Sequence, residues 1–272
     1  MLGVQSAYVA GDLTPHFSVL ADYAHAPLVL RPTGAGVEGG AVVGNQLFLH
    51  LNASLALQSR LLLNVVFPVA LFQSGASPTV AGRDFTSPGS AEIGDLRAGL
   101  RLRLFGGSQA PFQLALGGYV WFPTGRAESG SFVGEGTVRG LPQLIAGGMV
   151  AGRMVWAFNA GPDLRGRTTF GGSEGVAQGT MIRLDGGLGI QLGDARNWQL
   201  GIEGRAAFLV DEPRRHQLAA TTNFEAMLAA RYRFLHDFEA GVGAGPGLSG
   251  GLGTPDVRAV AMLSYSPDAK KE

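Results

Sequence analysis

Gln46-Leu47-Phe48-Leu49-His50-Leu51-Asn52-Ala53-Ser54-Leu55-Ala56-Leu57-Gln58 alternates between an apolar and a polar side. Leu47, Leu49, Leu51, Leu55 and Leu57 share one face; His50, Asn52, Ser54 and Gln58 share the other. A period of two marks a strand, because helical spacing would scatter these leucines around the axis. The pattern returns at residues 95–104, 182–192, 198–208 and 223–234. Runs of this length are about twice the usual strand of 5–6 residues. Extended outward, the reading predicts about 12 strands, centred near residues 23, 50, 66, 98, 116, 145, 158, 185, 203, 228, 242 and 261.

The connections between these strands alternate in length. Short turns are predicted at residues 59–60, 106–110, 152–153, 193–197 and 235–237. Long polar loops are predicted at 32–40, 73–91, 124–140, 166–175, 210–217 and 249–255. Short turns on one rim and long loops on the other are the signature of an up-and-down transmembrane barrel. The predicted class is therefore all-β: a transmembrane antiparallel up-and-down β-barrel.

Composition agrees. The chain has 272 residues, 43 glycines, no cysteine, 46% hydrophobic and only 15% charged residues, against about 25% charged in ordinary soluble domains. Of the 21 basic residues only Lys270 and Lys271 are lysines, and formal net charge is zero. No global basic field points to nucleic acid. The apolar run at residues 61–72 is interrupted by Asn64 and Pro68, too short for a spanning helix of about 20 residues.

Period two assigns faces. Arg97, Arg101, Arg103, Arg183, Asp185, Glu203, Arg205, Glu225, Arg231 and Arg233 fall on the glycine-rich face together with His50 and Asn52. The opposite face is aliphatic and aromatic. Arginine on a lipid face costs about 2–4 kcal/mol at mid-bilayer, so these twelve residues are expected to line the lumen. Aromatics are expected in two girdles at the bilayer interfaces. Phe105, Phe112, Trp156, Trp198, Phe234, Phe238 and Tyr265 would lie at the short-turn rim, and Trp121, Phe122 and Phe208 at the loop rim.

Several segments together resemble the N-terminal barrel of OmpA-type outer-membrane proteins. They are Asp22-Tyr-Ala-His-Ala-Pro-Leu-Val-Leu30, Gly94-Asp-Leu-Arg-Ala-Gly-Leu100, Phe122-Pro-Thr-Gly125, Gly243-Ala-Gly-Pro-Gly-Leu248 and Gly251-Leu-Gly-Thr-Pro255. The last strand, Arg258-Ala-Val-Ala-Met-Leu263-Ser-Tyr265, resembles the outer-membrane assembly signal, with Val260 where that signal carries glycine. The resemblance implies an outer-membrane location in a Gram-negative envelope, with both termini periplasmic. It implies as partners outer-membrane lipid, lipopolysaccharide and the barrel-assembly machinery. Peptidoglycan would be reached only through a further domain outside residues 1–272. Pro267 cannot donate to a ladder, so the barrel is expected to span residues 14–266. Residues 267–272 would begin a periplasmic linker, and residues 1–13 would form a periplasmic segment or a lumen insert. The opening residues lack the basic start and apolar core of an export signal, so the natural gene is expected to encode one upstream.

No enzymatic site, cofactor or metal is expected. Gly245-Pro-Gly247-Leu-Ser-Gly250 matches a dinucleotide fingerprint, but Pro246 lies inside it and strand rather than helix follows. His50, Asn52 and Ser54 suggest the residue types of an outer-membrane phospholipase. Same-face strand neighbours at i and i+4 stand about 13 Å apart, beyond nucleophile–base contact. The histidines at 16, 25, 50, 216 and 236 show no metal-ligand spacing. The charge cluster at residues 211–216 could pair with lipopolysaccharide phosphate, though a solvated loop tip is the simpler expectation. The function expected is structural anchoring combined with narrow passive diffusion of small polar solutes, weakly preferring anions. The alternatives are an outer-membrane lipid hydrolase of the phospholipase or deacylase class, or an apolar-solute channel plugged by residues 1–13.

Overall fold

The computed structural model describes residues 2–30, 40–77, 79–80, 83–84, 86–88, 91–125, 132–170, 176–210 and 221–267. In chain order its strands are β1 (Thr14–Leu30), β2 (Gly40–Leu57), β3 (Leu61–Ser74), β4 (Thr79–Val80), β5 (Arg83–Asp84), β6 (Glu92–Ile93), β7 (Leu96–Phe105), β8 (Gln113–Phe122) and β9 (Arg139–Val150). They continue with β10 (Met154–Asp163), β11 (Thr168–Phe170), β12 (Val176–Gln178), β13 (Met181–Leu192), β14 (Trp198–Leu209), β15 (Thr222–Phe234), β16 (Phe238–Pro246) and β17 (Val257–Tyr265). Twelve are long and build one closed antiparallel barrel, each paired with its neighbour in sequence. The seam closes where β1 meets β17, with Phe17 opposite Tyr265 and His25 opposite Val257. Closure leaves no free edge, so the ladder satisfies backbone N–H and C=O groups without water. Every predicted strand centre falls inside one of these twelve strands.

The short connections are residues 58–60, 106–112, 151–153, 193–197 and 235–237, all on one rim. Three of them turn through consecutive left-handed residues: Gln58 and Ser59, Ala151 and Gly152, Leu235 and His236. Left-handed pairs match the right-handed twist of the flanking strands, which lets the hairpins close in so few residues. Two of the long connections on the other rim carry short strands of their own. Residues 75–95 carry the β4–β5 pair and β6, which docks on β3. Residues 164–180 carry the β11–β12 hairpin, in a segment expected to be loop. The charge cluster at 211–216 and the tail at 268–272 lie outside the described residues.

The faces follow the alternation. On β7, Leu100, Leu102 and Leu104 point out while Arg97, Arg101 and Arg103 point in. Leu188, Leu228 and Val242 are 59%, 69% and 59% exposed on the outer surface. Water would not tolerate a continuous apolar surface of this extent, so lipid is the matching solvent. Among the described residues no helix is long and apolar enough to cross a membrane; the strands do the crossing.

Aromatic side chains gather on the outside of the short-turn rim. Phe105 meets Phe112 at 5.5 Å between ring centroids, and Phe112 meets Trp156 at 5.9 Å. A second run continues from Trp198 through Tyr232, Phe234 and Phe238 to Tyr265. Phe122 and Phe208 are exposed near the other rim. Trp121 requires a correction. It precedes Phe122, so period two sends it to the opposite face, and it lies in the lumen rather than in the girdle.

Candidate functional site

Arginine dominates the inner wall, and most of it is paired across strands. Asp185, 3% exposed, receives Arg183 Nε at 3.0 Å and Arg205 Nε at 3.1 Å. Glu239 meets Arg231 at 3.3 Å and Arg233 at 4.0 Å. Arg258 bridges the seam: its guanidinium lies 2.7 Å from both Asp22 on β1 and Glu225 on β15. At the long-loop rim Arg139 donates twice to Asp163, both at 2.6 Å, and Arg165 reaches the same carboxylate at 2.7 Å. Glu135 completes that cluster at 3.0 and 3.1 Å from the two arginines. Asp95 accepts the N–H groups of Gly125 and Glu135, pinning the loop between β8 and β9 to the rim.

The N-terminal segment runs inside the barrel. It leaves β1 at the short-turn rim, where Ser59 N–H donates to Gly11 O and Gln58 N–H to Asp12 Oδ1. Tyr8 then lies under Arg103, with the guanidinium 5.3 Å from the ring. Ala7 is buried against Ala115 and Ile145. Gln5 donates to Gln143, and the Asn159 amide brackets the Gln5 backbone at 2.9 and 3.2 Å. Finally Leu2, Gly3 and Val4 direct three N–H groups at the carboxylate of Glu203, at 2.5, 2.6 and 3.1 Å. The segment thus traces an arc along the inner wall from β7 toward β16, held by the side chains of Arg101, Gln143, Asn159 and Glu203.

Between this arc and the wall of β17, β1, β2 and β3 remains a cavity of about 740 Å³. That volume lies within the about 300–1,000 Å³ typical of small-molecule sites. Its far wall is mostly neutral. Asn52 donates to Ser18 Oγ at 3.1 Å, and Asn64 donates to Asn52. His50 stacks on Phe48 at 5.7 Å rather than meeting Ser54, so the three polar residues of β2 form no catalytic chain. His16 Nδ1 lies 2.7 Å from Ser266 Oγ at the rim, yet no carboxylate among the described residues hydrogen-bonds that ring.

Of the residues predicted to line the lumen, Arg97, Arg101, Arg183, Asp185, Arg205, Arg231, Arg233, His50 and Asn52 border this cavity. Arg103 sits behind Tyr8, Glu203 behind the N-terminal amides, and Glu225 under Arg258. The alternation alone did not single out Arg139, Tyr119, Gln143, Asp22 or Arg258. For Asp22 and Arg258 a signal was present: each sits at an inward parity once its strand is fixed.

A family model described as "Putative MetA-pathway of phenol degradation" matches residues 31–219. Comparison with curated proteins finds no match. Among solved structures the chain is similar to an outer membrane channel from Pseudomonas putida F1. The identity is 13%, the TM-score 0.63, and the match covers 95% of this chain and 97% of that one. It is similar to the NanC porin at 10% identity and TM-score 0.56, covering 93% of this chain and 99% of that one. A deletion mutant of TodX, described as a monoaromatic hydrocarbon channel, matches at 12% identity and TM-score 0.50, covering 95% and 91%. Identities this low speak to the fold, which they place among outer-membrane channels.

Proposed function

We propose that this chain, which belongs to the phenol-degradation family matched over residues 31–219, is an outer-membrane channel for small solutes, with small aromatic compounds its characteristic cargo. The single observation carrying the channel reading is the polar cavity of about 740 Å³ enclosed by a closed barrel whose outer face is apolar. The cargo class draws on the family description and on the monoaromatic hydrocarbon channel of like fold. In this reading the short-turn rim, where β1 begins and β17 ends, faces the periplasm, and the long connections face outward. The N-terminal arc narrows the passage from the periplasmic side. The OmpA-type resemblance holds at the level of an outer-membrane barrel; the matched family is a different one, and we propose a channel rather than a cell-wall anchor.

Liposomes carrying the refolded chain test this. Swelling in isosmotic arabinose, with little in raffinose, is the expected result, together with discrete single-channel currents. The absence of both swelling and current would overturn the channel reading. An epitope at Ser77 should be reached by antibody on intact cells; reaction only after permeabilisation would invert the orientation.

A further inference from the structure

Arg97 differs from the other arginines of the cavity. Among the described residues it has no hydrogen bond and no ion pair, and its Nε is buried without a partner. Its contacts are two rings: the guanidinium lies 4.6 Å from the centre of Tyr119 and 5.7 Å from that of Trp121. The Tyr119 ring reaches this position because Gly99 lies opposite; a Cβ there would stand 2.5 Å from the ring. A half-buried guanidinium without an anion is unfavourable, and the rings offset only part of that cost. Neighbouring charge does not compensate either. Arg101 and Arg103, on the same strand, donate to the neutral carbonyls of Ser6 and Gly106. Arg139, 4.4 Å from the centre of Trp121, is already taken by Asp163. Of these arginines, Arg97 is thus the one whose guanidinium is open to the cavity with no hydrogen-bond partner among the described residues.

The surroundings specify what else the ligand carries. Leu20, Leu62, Val66 and Met262 also border the cavity and give it apolar surface, interrupted by the amides of Asn52 and Asn64. An anion that is all charge, such as chloride or phosphate, would leave that surface wet. An apolar hydrocarbon would leave Arg97 unpaired.

Resting on the channel reading above, we infer that Arg97, Tyr119 and Trp121 form a transit subsite for aromatic monocarboxylates. The guanidinium fork takes the carboxylate in two parallel hydrogen bonds, while the ring of the solute lies against the aromatic and aliphatic wall. One guanidinium fork with no hydrogen-bond partner among the described residues matches one carboxylate. A single charge-assisted contact also suits a channel, where a solute must bind well enough to enter and weakly enough to leave.

The test is binding in detergent micelles, read by tryptophan fluorescence. Trp156 and Trp198 lie in the outer aromatic runs and Trp121 in the cavity, so Trp121 should report occupancy and Trp121→Phe should abolish the signal. Benzoate should quench saturably; benzamide has the ring without the charge, acetate the charge without the ring, and both should bind far more weakly. Arg97→Gln should weaken benzoate about tenfold, the scale of a lost charge-assisted hydrogen bond, and Arg97→Lys less. Equal affinity for benzoate and benzamide in the unmodified chain would overturn the subsite without recourse to any variant. So would a folded Arg97→Gln chain that binds benzoate unchanged. The two readings separate cleanly: a chain that conducts but ignores benzoate keeps the channel and loses the subsite. One that binds benzoate in micelles but passes nothing in liposomes keeps the subsite and loses the channel.

Discussion

At the scale of single residues, the wall is specified by what glycine permits and what arginine demands. Gly99 sits between Arg97 and Arg101 on the inward face and leaves room for Tyr119 to lie across it. Gly99→Ala would drive a methyl into that ring. The ring must tilt away or the strands must shift, and overpacking of this kind costs about 1–3 kcal/mol. The expected outcome is a lower urea midpoint for the refolded chain, with unchanged β-type circular dichroism. An unchanged midpoint would mean the ring moves freely, and the placement of Tyr119 would carry no strain. Arg258 is the opposite case, a residue defined by its partners. It ties β17 to β1 through Asp22 and to β15 through Glu225. Arg258→Met would leave two carboxylates facing each other at the seam without their cation. Each lost charged hydrogen bond is worth about 1.5–3 kcal/mol, toward the low end here because the side chains are about one-fifth exposed or less to a wet lumen. The folded band on an unboiled gel should then convert to the unfolded one at a lower temperature.

At the scale of elements, the long strands were legible because period two persists in them for ten residues and more. That periodicity has one physical cause, two solvents on two sides of a thin wall, and it assigns each residue a face. Leu228 and Met227 test the assignment at the middle of β15: Leu228 is 69% exposed outside, and Met227 faces in beside Glu203. Leu228→Arg should destabilise the barrel by about 2–4 kcal/mol, whereas Met227→Arg should cost far less. Equal penalties would contradict a lipid-facing exterior. Trp121 was misread because its position near a strand end was weighed above its parity. Other features had no local signal at all. The N-terminal segment has no periodicity, and its binding partner Glu203 is about 200 residues away in sequence. The Asp22–Arg258 pair, 236 residues apart, exists only once the barrel has closed. The arc can be tested as an element. Glu203→Ala removes the acceptor of three N–H groups, each loss on the scale of about 1.5–3 kcal/mol. The segment should loosen and the mean single-channel conductance should rise. Conductance unaltered by this change, and by deletion of residues 2–10, would mean the arc does not narrow the path.

At the scale of the molecule, formal charge is zero, yet the lumen is not neutral along its wall. Asp185, Glu239, Asp163, Asp22 and Glu225 are each held by at least one arginine. Glu203 is covered by backbone N–H groups of the arc. The lumen acids are therefore spent on internal partners, while β7 contributes Arg97, Arg101 and Arg103 and no carboxylate. A permeating ion meets the field of what is left, and that field is positive. A modest anion preference is expected in a potassium chloride gradient. It should fade as salt rises, because the screening length falls from about 10 Å at 0.1 M to about 3 Å at 1 M. Arg97→Gln should reduce the preference at low salt more than Arg183→Gln, since Arg183 already shares Asp185 with Arg205. A reversal potential of cationic sign at low salt would show that the acids, not the β7 arginines, govern the path. The assignment of the open positive charge to Arg97 would fall with it.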